Sequence, residues 1–401
     1  MAHIHLSWEL GGGLGHAGRL KTLAQALLAR GHRVSLSLRD LVHTRRVLAD
    51  LDCPKFQAPT WLHQAVGLPP VQGNLAEILL TCGYLDAQAV LGLMDGWRAL
   101  FEQLRPDLLV ADYAPTALLA ARSLGLRSAS VGIGFYLPPQ GQDLPALRDW
   151  ERIPAARLLG AEAHVLRVAN AALVHHGAPP LQRACDLLLG DVPLLCTWPE
   201  LDHYGRSEPT GGRWYGPSFL PEAGEAPRWP EGAGPQVFAY LKTDHPDHAA
   251  LLKALADEGC RTLCYLPEVA AGKPAPLLHP SIRYAAGPVS LNEAFADPCA
   301  LCVCHGGEAT LAQALLAGVP VLLLPMQTEQ FLMSRRVGQT GAGINAAELR
   351  RPVDWRALLR RLLAEPRFRE AAQAFAQAHA GFTQQELVEQ LAEVFEANLP
   401  Q

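Results

Sequence analysis

The sequence predicts an α/β protein with two parallel-sheet domains that face a central cleft. Its 401 residues correspond to two or three domains at roughly 150 residues each. Both halves alternate short apolar strand patterns with helix patterns, which is typical of parallel sheets covered on both faces. A stretch rich in proline and glycine separates the halves at about 199–234. Ligands of open α/β sheets bind at the carboxyl ends of the strands, so two such domains bring their binding edges to one cleft.

Composition and charge exclude several classes of protein. The chain is 49% hydrophobic and 18% charged, which does not fit a disordered protein. Its 34 basic and 39 acidic residues give a net charge of −5, so we expect no nucleic-acid partner. Residues 1–10 do not resemble a signal peptide, and no apolar run reaches the roughly 18 residues that span a bilayer. With nine cysteines and no signal, we expect reduced thiols and a cytoplasmic protein, or one peripheral to the inner face of a membrane.

The elements of the first half follow in order. The apolar run at 3–10 predicts a strand, and the glycines at 11–15 predict a tight turn. Leu20, Leu23 and Leu27 then form one face of a helix. Gly31 ends this helix. Further strands are predicted at 34–38, 108–111 and 128–133, with a helix at 117–124.

The second half repeats the alternation. Strands are predicted at 237–241, 261–266, 300–304 and 321–324, and helices at 249–258 and 310–316. A helical tail follows at 355–399, with an interruption near Gly381. We place the N-terminal domain at 1–215, the linker at 216–234 and the second domain at 235–380. The C-terminal helix at 381–401 is expected to pack back on the N-terminal domain.

The glycine loop after the first strand has two interpretations. Gly13, Gly15 and Gly18 match the dinucleotide pattern GxGxxG, and Asp40 ends the next strand, as that pattern expects. Alone, this predicts a nicotinamide or flavin oxidoreductase. The signal is weak, because any tight turn between a strand and a helix needs small residues.

The other interpretation concerns His16, which lies in the turn that opens the first helix. The positive end of the helix dipole disfavours an imidazolium there, and a neutral imidazole can accept a proton from an alcohol. Asp112 follows the strand at 108–111 and is the best-placed carboxylate to orient this base. The alternative is that His16 caps a turn and Asp112 caps the next helix.

A second motif lies at 305–310, where the sequence His-Gly-Gly-Glu-Ala-Thr follows a buried strand and opens a helix. Its glycines let backbone amides approach a ligand, and a helix N-terminus attracts anions. His305 and Thr310 add side-chain donors, so the segment is a candidate diphosphate cradle. A Gly-Val-Pro segment at 318–320 and the pair Glu329-Gln330 follow downstream.

This order of motifs resembles the donor site of the UDP-glycosyltransferases. These are inverting, metal-independent enzymes with the GT-B fold, in which two Rossmann-like domains face a central cleft. Gly15-His16 and Asp112 resemble the catalytic histidine of that family and its aspartate. Tyr215-Gly216-Pro217 resembles the segment that precedes its second domain. The resemblance does not cover residues 41–104.

The resemblance implies a role for each matching position. His16 deprotonates the acceptor and Asp112 orients it. The donor site comprises the loop that reads the nucleobase, the diphosphate cradle and the pair that binds sugar hydroxyls: Val289, His305, Gly306, Gly307, Thr310, Glu329 and Gln330.

Three departures from the family pattern affect the donor site. Glu329 stands where the acid–Gln pair usually begins with aspartate, which gives a longer reach. Gln313 stands where a glutamate usually binds the ribose hydroxyls, so a charge-assisted hydrogen bond is lost. Lys242 and Thr243 stand where a Gly-Ser or Gly-Thr loop is usual. We hypothesise that Lys242 helps to neutralise the leaving diphosphate, the alternative being a solvated lysine at a strand end.

The resemblance therefore implies an inverting hexosyltransferase that moves a sugar from a UDP- or dTDP-sugar to a hydroxyl of a small apolar or aromatic acceptor. Aromatic side chains proposed for the acceptor pocket are Trp61, Trp97, Phe135 and Tyr136. A lipid-linked saccharide acceptor, a nucleotide-sugar epimerase of the same fold and a non-catalytic nucleotide-sugar-binding protein remain as alternatives. The oligomeric state stays open.

No cofactor is expected beyond the nucleotide-sugar co-substrate, and no metal. Cys299, Cys302, Cys304 and His305 could be read as a zinc site. The strand pattern buries the last two cysteines on one face, and His305 is assigned to the diphosphate. The pair Asp50 and Asp52 fits a solvated turn better than a metal-binding motif.

Overall fold

The computed structural model describes residues 1–220, 224–296 and 298–400, which divide into two units. The first unit comprises Met1–Phe219 together with Thr383–Gln401, and the second comprises Leu220–Phe382. The linker predicted at 216–234 contains the boundary at 219/220, and its positions 221–223 lie outside the described residues.

The first unit is built on a parallel six-stranded sheet with the order β3-β2-β1-β4-β5-β6. Its central strands are fully buried, because helices cover both faces. The strands, numbered along the chain, are β1 (His3–Trp8), β2 (Arg33–Leu38), β3 (Lys55–Gln57), β4 (Leu108–Asp112), β5 (Ser128–Gly132) and β6 (Val192–Leu195).

Helices connect these strands and supply the covering layers. They are α1 (Gly15–Ala29), α2 (Leu41–Thr44), α3 (Leu75–Leu79), α4 (Ala87–Leu104), α5 (Pro115–Ser123), α6 (Ala155–His175) and α7 (Asp186–Leu189). A π-helical turn at Leu80–Tyr84 contains Gly83, whose φ of 102° requires glycine. The four strands predicted in this half agree with the structure to within two residues.

The second unit has the same architecture, with a parallel sheet of order β12-β11-β10-β7-β8-β9. Its strands are β7 (Gln236–Tyr240), β8 (Arg261–Tyr265), β9 (Ile282–Tyr284), β10 (Cys299–Cys304), β11 (Val321–Leu323) and β12 (Gly343–Asn345). Its helices are α8 (His248–Asp257), α9 (Pro267–Ala270), α10 (Leu291–Ala294), α11 (Glu308–Leu316), α12 (Thr328–Thr340), α13 (Trp355–Ala364) and α14 (Pro366–Ala378).

The helical tail ends in α15 (Gln384–Ala397), which belongs to the first unit. There it packs against α1. Arg30, just after α1, donates to both carboxylate oxygens of Glu396 at 3.0 and 2.9 Å, and His32 lies 2.8 Å from the same carboxylate. The last helix thus completes the unit that the first strand begins.

In the part of the chain that the structure describes, no single helix is both long and apolar enough to cross a membrane. Taken together, the two helical segments Leu75–Tyr84 and Ala87–Leu104 have the length and apolar composition of a membrane span, but they are bent by 77° relative to each other.

Parallel pairing in each sheet decides which loops meet. In the first unit, β1 pairs with β4 so that Trp8 lies opposite Asp112, and the loops that follow both strands share one edge. In the second unit, β10 lies between β7 and β11, so the turns that follow these strands share an edge as well. Most of the predicted site residues of the two units lie at or soon after these strands.

Candidate active site

His16 and Asp112 form a hydrogen-bonded pair at the carboxyl edge of the first sheet. His16 lies in the first turn of α1, and its Nδ1 is 2.9 Å from Oδ1 of Asp112, the last residue of β4. The Asp112 side chain is fully buried, whereas that of His16 is 11% exposed. Because the carboxylate accepts the hydrogen bond from Nδ1–H, Nε2 is the ring nitrogen left to act on a ligand. Among the residues described, Nε2 has no hydrogen-bond partner.

Two further groups hold the Asp112 carboxylate. Arg19, one turn after His16 on α1, donates from Nη1 to Oδ2 at 2.9 Å. The Tyr136 hydroxyl donates to Oδ1 at 2.7 Å and accepts from the same Nη1 of Arg19 at 2.8 Å. Burial raises the pKa of Asp112, but His16, Arg19 and the hydrogen bonds outweigh it and hold that pKa below its ordinary value. The aspartate is therefore ionised at neutral pH.

The His16 ring is also fixed by its neighbours. The Trp8 ring stacks on it at a centroid distance of 5.1 Å and an angle of 14°, and the Tyr136 ring is 5.6 Å away. Gly11 leaves the space next to Nε2, since a Cβ there would lie 2.8 Å from that atom. Gly11 also has a φ of +79°, so the position favours glycine twice over.

Glu9 ties β1 to the segment that carries Asp112. Its Oε2 accepts from the amides of Thr116 at 2.8 Å and Ala117 at 3.4 Å, in the first turn of α5. Arg39 donates to the Glu9 carbonyl, not to its carboxylate. Because the carboxyl group is fully buried, its pKa is raised to about 7.

The four aromatic residues predicted to line an acceptor pocket lie in different surroundings. Tyr136 is beside His16, but its hydroxyl is bound to Asp112. Trp97 is fully buried in α4 against Phe101, so in this structure it packs in the core of the first unit.

The other two aromatic residues lie in loops. Trp61 is half-buried, with its ring against Gly83, where a Cβ would lie 3.1 Å from it, and 4.9 Å from the His63 ring. Phe135 is buried, its ring is 5.8 Å from that of His203, and its carbonyl accepts from the Tyr204 hydroxyl. Of the four residues, Tyr136 is the one with a recorded contact to the His16–Asp112 pair.

In the second unit, His305 follows β10 directly and is bound to main chain on both sides of its ring. Nδ1–H donates to the carbonyl of Leu324 at 2.7 Å, and Nε2 accepts from the amide of Lys242 at 2.8 Å. Burial, followed by the charges of His245 and Lys242, lowers the pKa of His305 to about 4, so the ring is neutral. His305 therefore joins the turns after β7, β10 and β11. The predicted direct contact with a diphosphate would require one of these bonds to break.

The two glycines after His305 differ. Gly306 has a φ of +85°, and a Cβ on it would lie 2.7 Å from the Ser334 hydroxyl of α12. At Gly307, the N-cap of α11, a Cβ would meet nothing within 4 Å in the described structure. Gly306 therefore lets α12 pack closely, and Gly307 leaves the N-terminus of α11 open.

Farther along α11, Thr310 and Gln313 are buried. Gln313 donates from Nε2 to the Ala309 carbonyl at 2.9 Å. Its Oε1 is buried without a hydrogen-bond partner among residues 1–220, 224–296 and 298–400. A buried acceptor in that state costs roughly 1–3 kcal/mol until a donor reaches it.

The predicted base-reading residue, Val289, pairs with Glu225 in an isolated parallel bridge. The Glu225 amide donates to the Pro288 carbonyl, and the Ser290 amide donates to the Glu225 carbonyl, both at 2.8 Å. Main-chain groups alternate in direction along an extended segment, so the amide and carbonyl of Val289 itself face away from Glu225.

The remaining donor-site candidates lie at the same edge of the second sheet. Glu329 and Gln330 occupy the first turn of α12, where Gln330 accepts from the Met326 amide through Oε1 at 2.9 Å. In the loop after β7, the Lys242 side chain is exposed and the Thr243 hydroxyl donates to Asp244 at 3.3 Å.

Sequence reasoning missed Trp8, Gly11, Arg19 and Glu9 as neighbours of the His16–Asp112 pair. Gly11 lies in the glycine run already singled out, and Arg19 follows His16 by three residues, the spacing at which helical side chains share a face. Neither signal identifies a partner 93 residues away. Among the described residues, no group of three or more histidine, cysteine, aspartate or glutamate side chains could hold a metal ion.

Comparison with known proteins agrees with this architecture. A family described as erythromycin biosynthesis protein CIII-like, C-terminal domain, matches residues 277–394. The PGL/p-HBAD biosynthesis glycosyltransferase of Mycobacterium tuberculosis (strain ATCC 25177 / H37Ra) is 27% identical over 315 residues, which cover 72% of this chain and 71% of that protein.

Solved structures share the fold over the whole chain. The glycotransferase of kitacinnamycin matches with a TM-score of 0.73 and 20% identity, covering 100% of this chain and 99% of that one. The spinosyn rhamnosyltransferase SpnG covers 98% of this chain and 100% of its own in both of two structures. Its complex with thymidine diphosphate has a TM-score of 0.66 at 21% identity, and its complex with spinosyn aglycone 0.67 at 22%.

These findings define the chain as a glycosyltransferase with the GT-B fold. The matches agree with the resemblance to the UDP-glycosyltransferases that the order of its sequence motifs indicated.

Proposed function

We propose that the protein is an inverting glycosyltransferase that uses His16 as a general base to transfer a sugar from a UDP- or dTDP-sugar to an acceptor hydroxyl. The observation that carries the proposal is the His16–Asp112 pair: Nδ1 is bound to a buried, ionised carboxylate, and Nε2 is left for the acceptor. A carboxylate in this position holds the imidazole in one tautomer and stabilises the charge that it acquires.

In the proposed step, Nε2 of His16 takes the proton of the acceptor hydroxyl. The acceptor oxygen forms a bond to the anomeric carbon, and the bond from that carbon to the diphosphate oxygen breaks. The nucleoside diphosphate leaves with the bonding electron pair. Asp112 stabilises the imidazolium, and a single in-line displacement inverts the configuration at the anomeric carbon.

The donor site is proposed at the carboxyl edge of the second sheet. The open N-terminus of α11 at Gly307 favours the negative charge of a diphosphate, and Lys242 adds a cation. The buried Oε1 of Gln313 is an acceptor for a ribose hydroxyl. The outward amide and carbonyl of Val289 can pair with a pyrimidine edge. We propose that the leaving diphosphate is stabilised by these groups and needs no metal ion.

For the acceptor, we propose a small apolar or aromatic alcohol. The complex of SpnG with spinosyn aglycone supports an acceptor of this type, since that protein has the same fold. The loop with half-buried Trp61, next to the π-helical turn, is the candidate wall of its pocket.

The test is to compare His16→Gln with the wild type for nucleotide release from dTDP-glucose, dTDP-rhamnose and UDP-glucose. Spinosyn aglycone and simple phenols serve as acceptors. His43→Gln is the matched control, since His43 in α2 is largely exposed. We expect a loss of about 10²–10⁴-fold for His16→Gln and none for the control. Thermal stabilisation by thymidine or uridine diphosphate should persist in both variants. Unchanged turnover in His16→Gln would contradict the proposal.

A further inference from the structure

The buried carboxylate of Asp112 is satisfied on every side by groups of the first unit. Oδ1 accepts from His16 and Tyr136, and Oδ2 accepts from Arg19. The Arg19 side chain is only 6% exposed, so the guanidinium is nearly as buried as the carboxylate. Among the residues that the structure describes, the charged and titratable groups that act on Asp112 include His16 and Arg19 from α1 and Tyr136 from the segment after β5.

The charges of Asp112 and its partners decide whether a protonated or a neutral His16 is favoured in the resting enzyme. A buried carboxylate without a countercharge costs several kcal/mol. If His16 were its only cationic partner, the ion pair would favour a protonated imidazole, and a protonated imidazole cannot act as a base. Arg19 carries a permanent charge, because a guanidinium does not lose its proton in proteins. With Arg19 in place, the group of Asp112, Arg19 and neutral His16 has a net charge of zero.

We propose that Arg19 is a positioning residue that supplies the countercharge of Asp112, so that His16 stays unprotonated and ready to accept the proton of the acceptor. Tyr136 completes the arrangement, because its hydroxyl bridges Arg19 Nη1 and Asp112 Oδ1 at 2.8 and 2.7 Å. The inference rests on the proposed role of His16 as base. It adds that α1 carries both the base and the cation that keeps this base free.

The arrangement also predicts how the replacement of Arg19 changes the protonation of His16. When His16 takes a proton during the reaction, the group gains one positive charge, and the contact to Asp112 stabilises it. When Arg19 is replaced by a neutral side chain, the carboxylate is left with His16 alone. The imidazolium is then stabilised in the resting enzyme, and the base is available only at higher pH.

The test compares pH profiles of kcat/KM for the acceptor between pH 5 and 9. Arg19→Met removes the charge and keeps an apolar stem. Arg19→Gln removes the charge and keeps a donor for Asp112, which guards against misfolding. For both variants we expect the acidic limb of the profile to move upward by about 1 pH unit or more. Arg19→Lys keeps the charge and should hold the limb within about 0.3 pH unit of the wild type. Tyr136→Phe, the matched control for a lost hydrogen bond, should lower kcat without moving the limb.

A second readout does not depend on turnover. The imidazole ¹H–¹⁵N signals of His16, assigned by their loss in His16→Gln, should titrate at higher pH in Arg19→Met than in the wild type. The proposal would be overturned if neither the acidic limb of the pH profile nor the titration of His16 moved in Arg19→Met relative to the wild type. A raised donor KM with an unmoved limb would also do so, since it would assign Arg19 to substrate binding. Full turnover in His16→Gln would instead refute the proposed function, and the imidazole titration would still test the charge argument.

Discussion

The two histidines at the carboxyl edges of the two sheets have similar places in the sequence and different chemistry. His16 lies in the first turn of the helix that follows β1, and His305 lies between β10 and the start of α11. The ring of His16 is bound to a carboxylate through one nitrogen, whereas both nitrogens of His305 are bound to main chain. Position in the fold therefore brings a histidine to the edge of the sheet, but its partners decide whether it can transfer a proton.

The largest expected effect tests the carboxylate that distinguishes His16. Asp112→Asn keeps the shape of the side chain but loses the charge that orients the ring and stabilises the imidazolium. We expect kcat/KM to fall by about 10³-fold or more. The measurement is steady-state nucleotide release, with thermal stabilisation by thymidine diphosphate as the control for donor binding. A loss below tenfold would show that the carboxylate does not assist His16.

A second prediction concerns pH and compares a buried acid of the first unit with His305. Burial raises the pKa of Glu9 to about 7 in the folded protein, compared with 4.5 in the unfolded chain. Glu9 therefore binds a proton more tightly when the protein is folded. The stability that Glu9 contributes is complete below pH 4.5 and is lost as the pH rises through 7. The loss amounts to about 3 kcal/mol. Glu9→Gln should therefore gain stability relative to the wild type between pH 4.5 and 8, measured by urea unfolding at each pH.

His305 should respond to pH in the opposite direction. Its lowered pKa, about 4, means that protonation favours the unfolded chain, where the value is 6.5. Its contribution is complete above pH 6.5 and falls as the pH drops through 4.

The Glu9 prediction has its own contradicting outcome. If the difference in the free energy of unfolding between Glu9→Gln and the wild type were constant from pH 4.5 to 8, the carboxyl group of Glu9 would not titrate as its burial requires.

The third prediction tests the structural role of His305. His305→Phe keeps a ring but leaves the Leu324 carbonyl and the Lys242 amide unpaired. We expect a loss of about 2 kcal/mol in the free energy of unfolding and a raised donor KM. Asp112→Asn should by contrast act mainly on kcat. A His305→Phe variant of full stability and low kcat would reverse this comparison and assign His305 to the reaction itself.

The smallest expected effect is that of Lys242→Ala. The Lys242 amide is bound to His305, so the backbone of the loop should keep its place in the variant. Loss of an exposed cation near a diphosphate should raise the donor KM about 3- to 10-fold, with a weaker effect at high salt. Donor affinity by calorimetry, at low and high ionic strength, is the measurement. Unchanged affinity and turnover would remove Lys242 from the donor site.

The sequence predicts the inner strands of both sheets, but not the edge strands, because the inner strands are parallel and buried. Apolar runs such as 108–111, bounded by polar or glycine residues, are typical of strands of this kind, and the structure has β4 at Leu108–Asp112. The same pattern predicts that His16 and Asp112 lie at one edge, since their strands pair. The structure adds the contact of 2.9 Å between them.

What the sequence could not predict depends on tertiary partners. Trp97 is an aromatic residue of the kind that often lines a pocket, but it lies on the buried face of α4. Arg19 is a charged helix residue of the kind that usually faces solvent. Only the fold shows that it contacts Asp112, which lies 93 residues farther along the chain. The role of His305 depends on the Lys242 amide and the Leu324 carbonyl, and main-chain groups carry no sequence signal.

The position of α15 has a consequence for protein engineering. The chain leaves the first unit at Phe219 and returns to it at Thr383, where Gln384 accepts from the Phe219 amide and donates to the Pro217 carbonyl. A chimera that exchanges the first unit between such enzymes must therefore transplant two pieces of chain. A fragment that stops at residue 219 would expose the surface of α1 on which the last helix belongs and would lose the ion pair of Arg30.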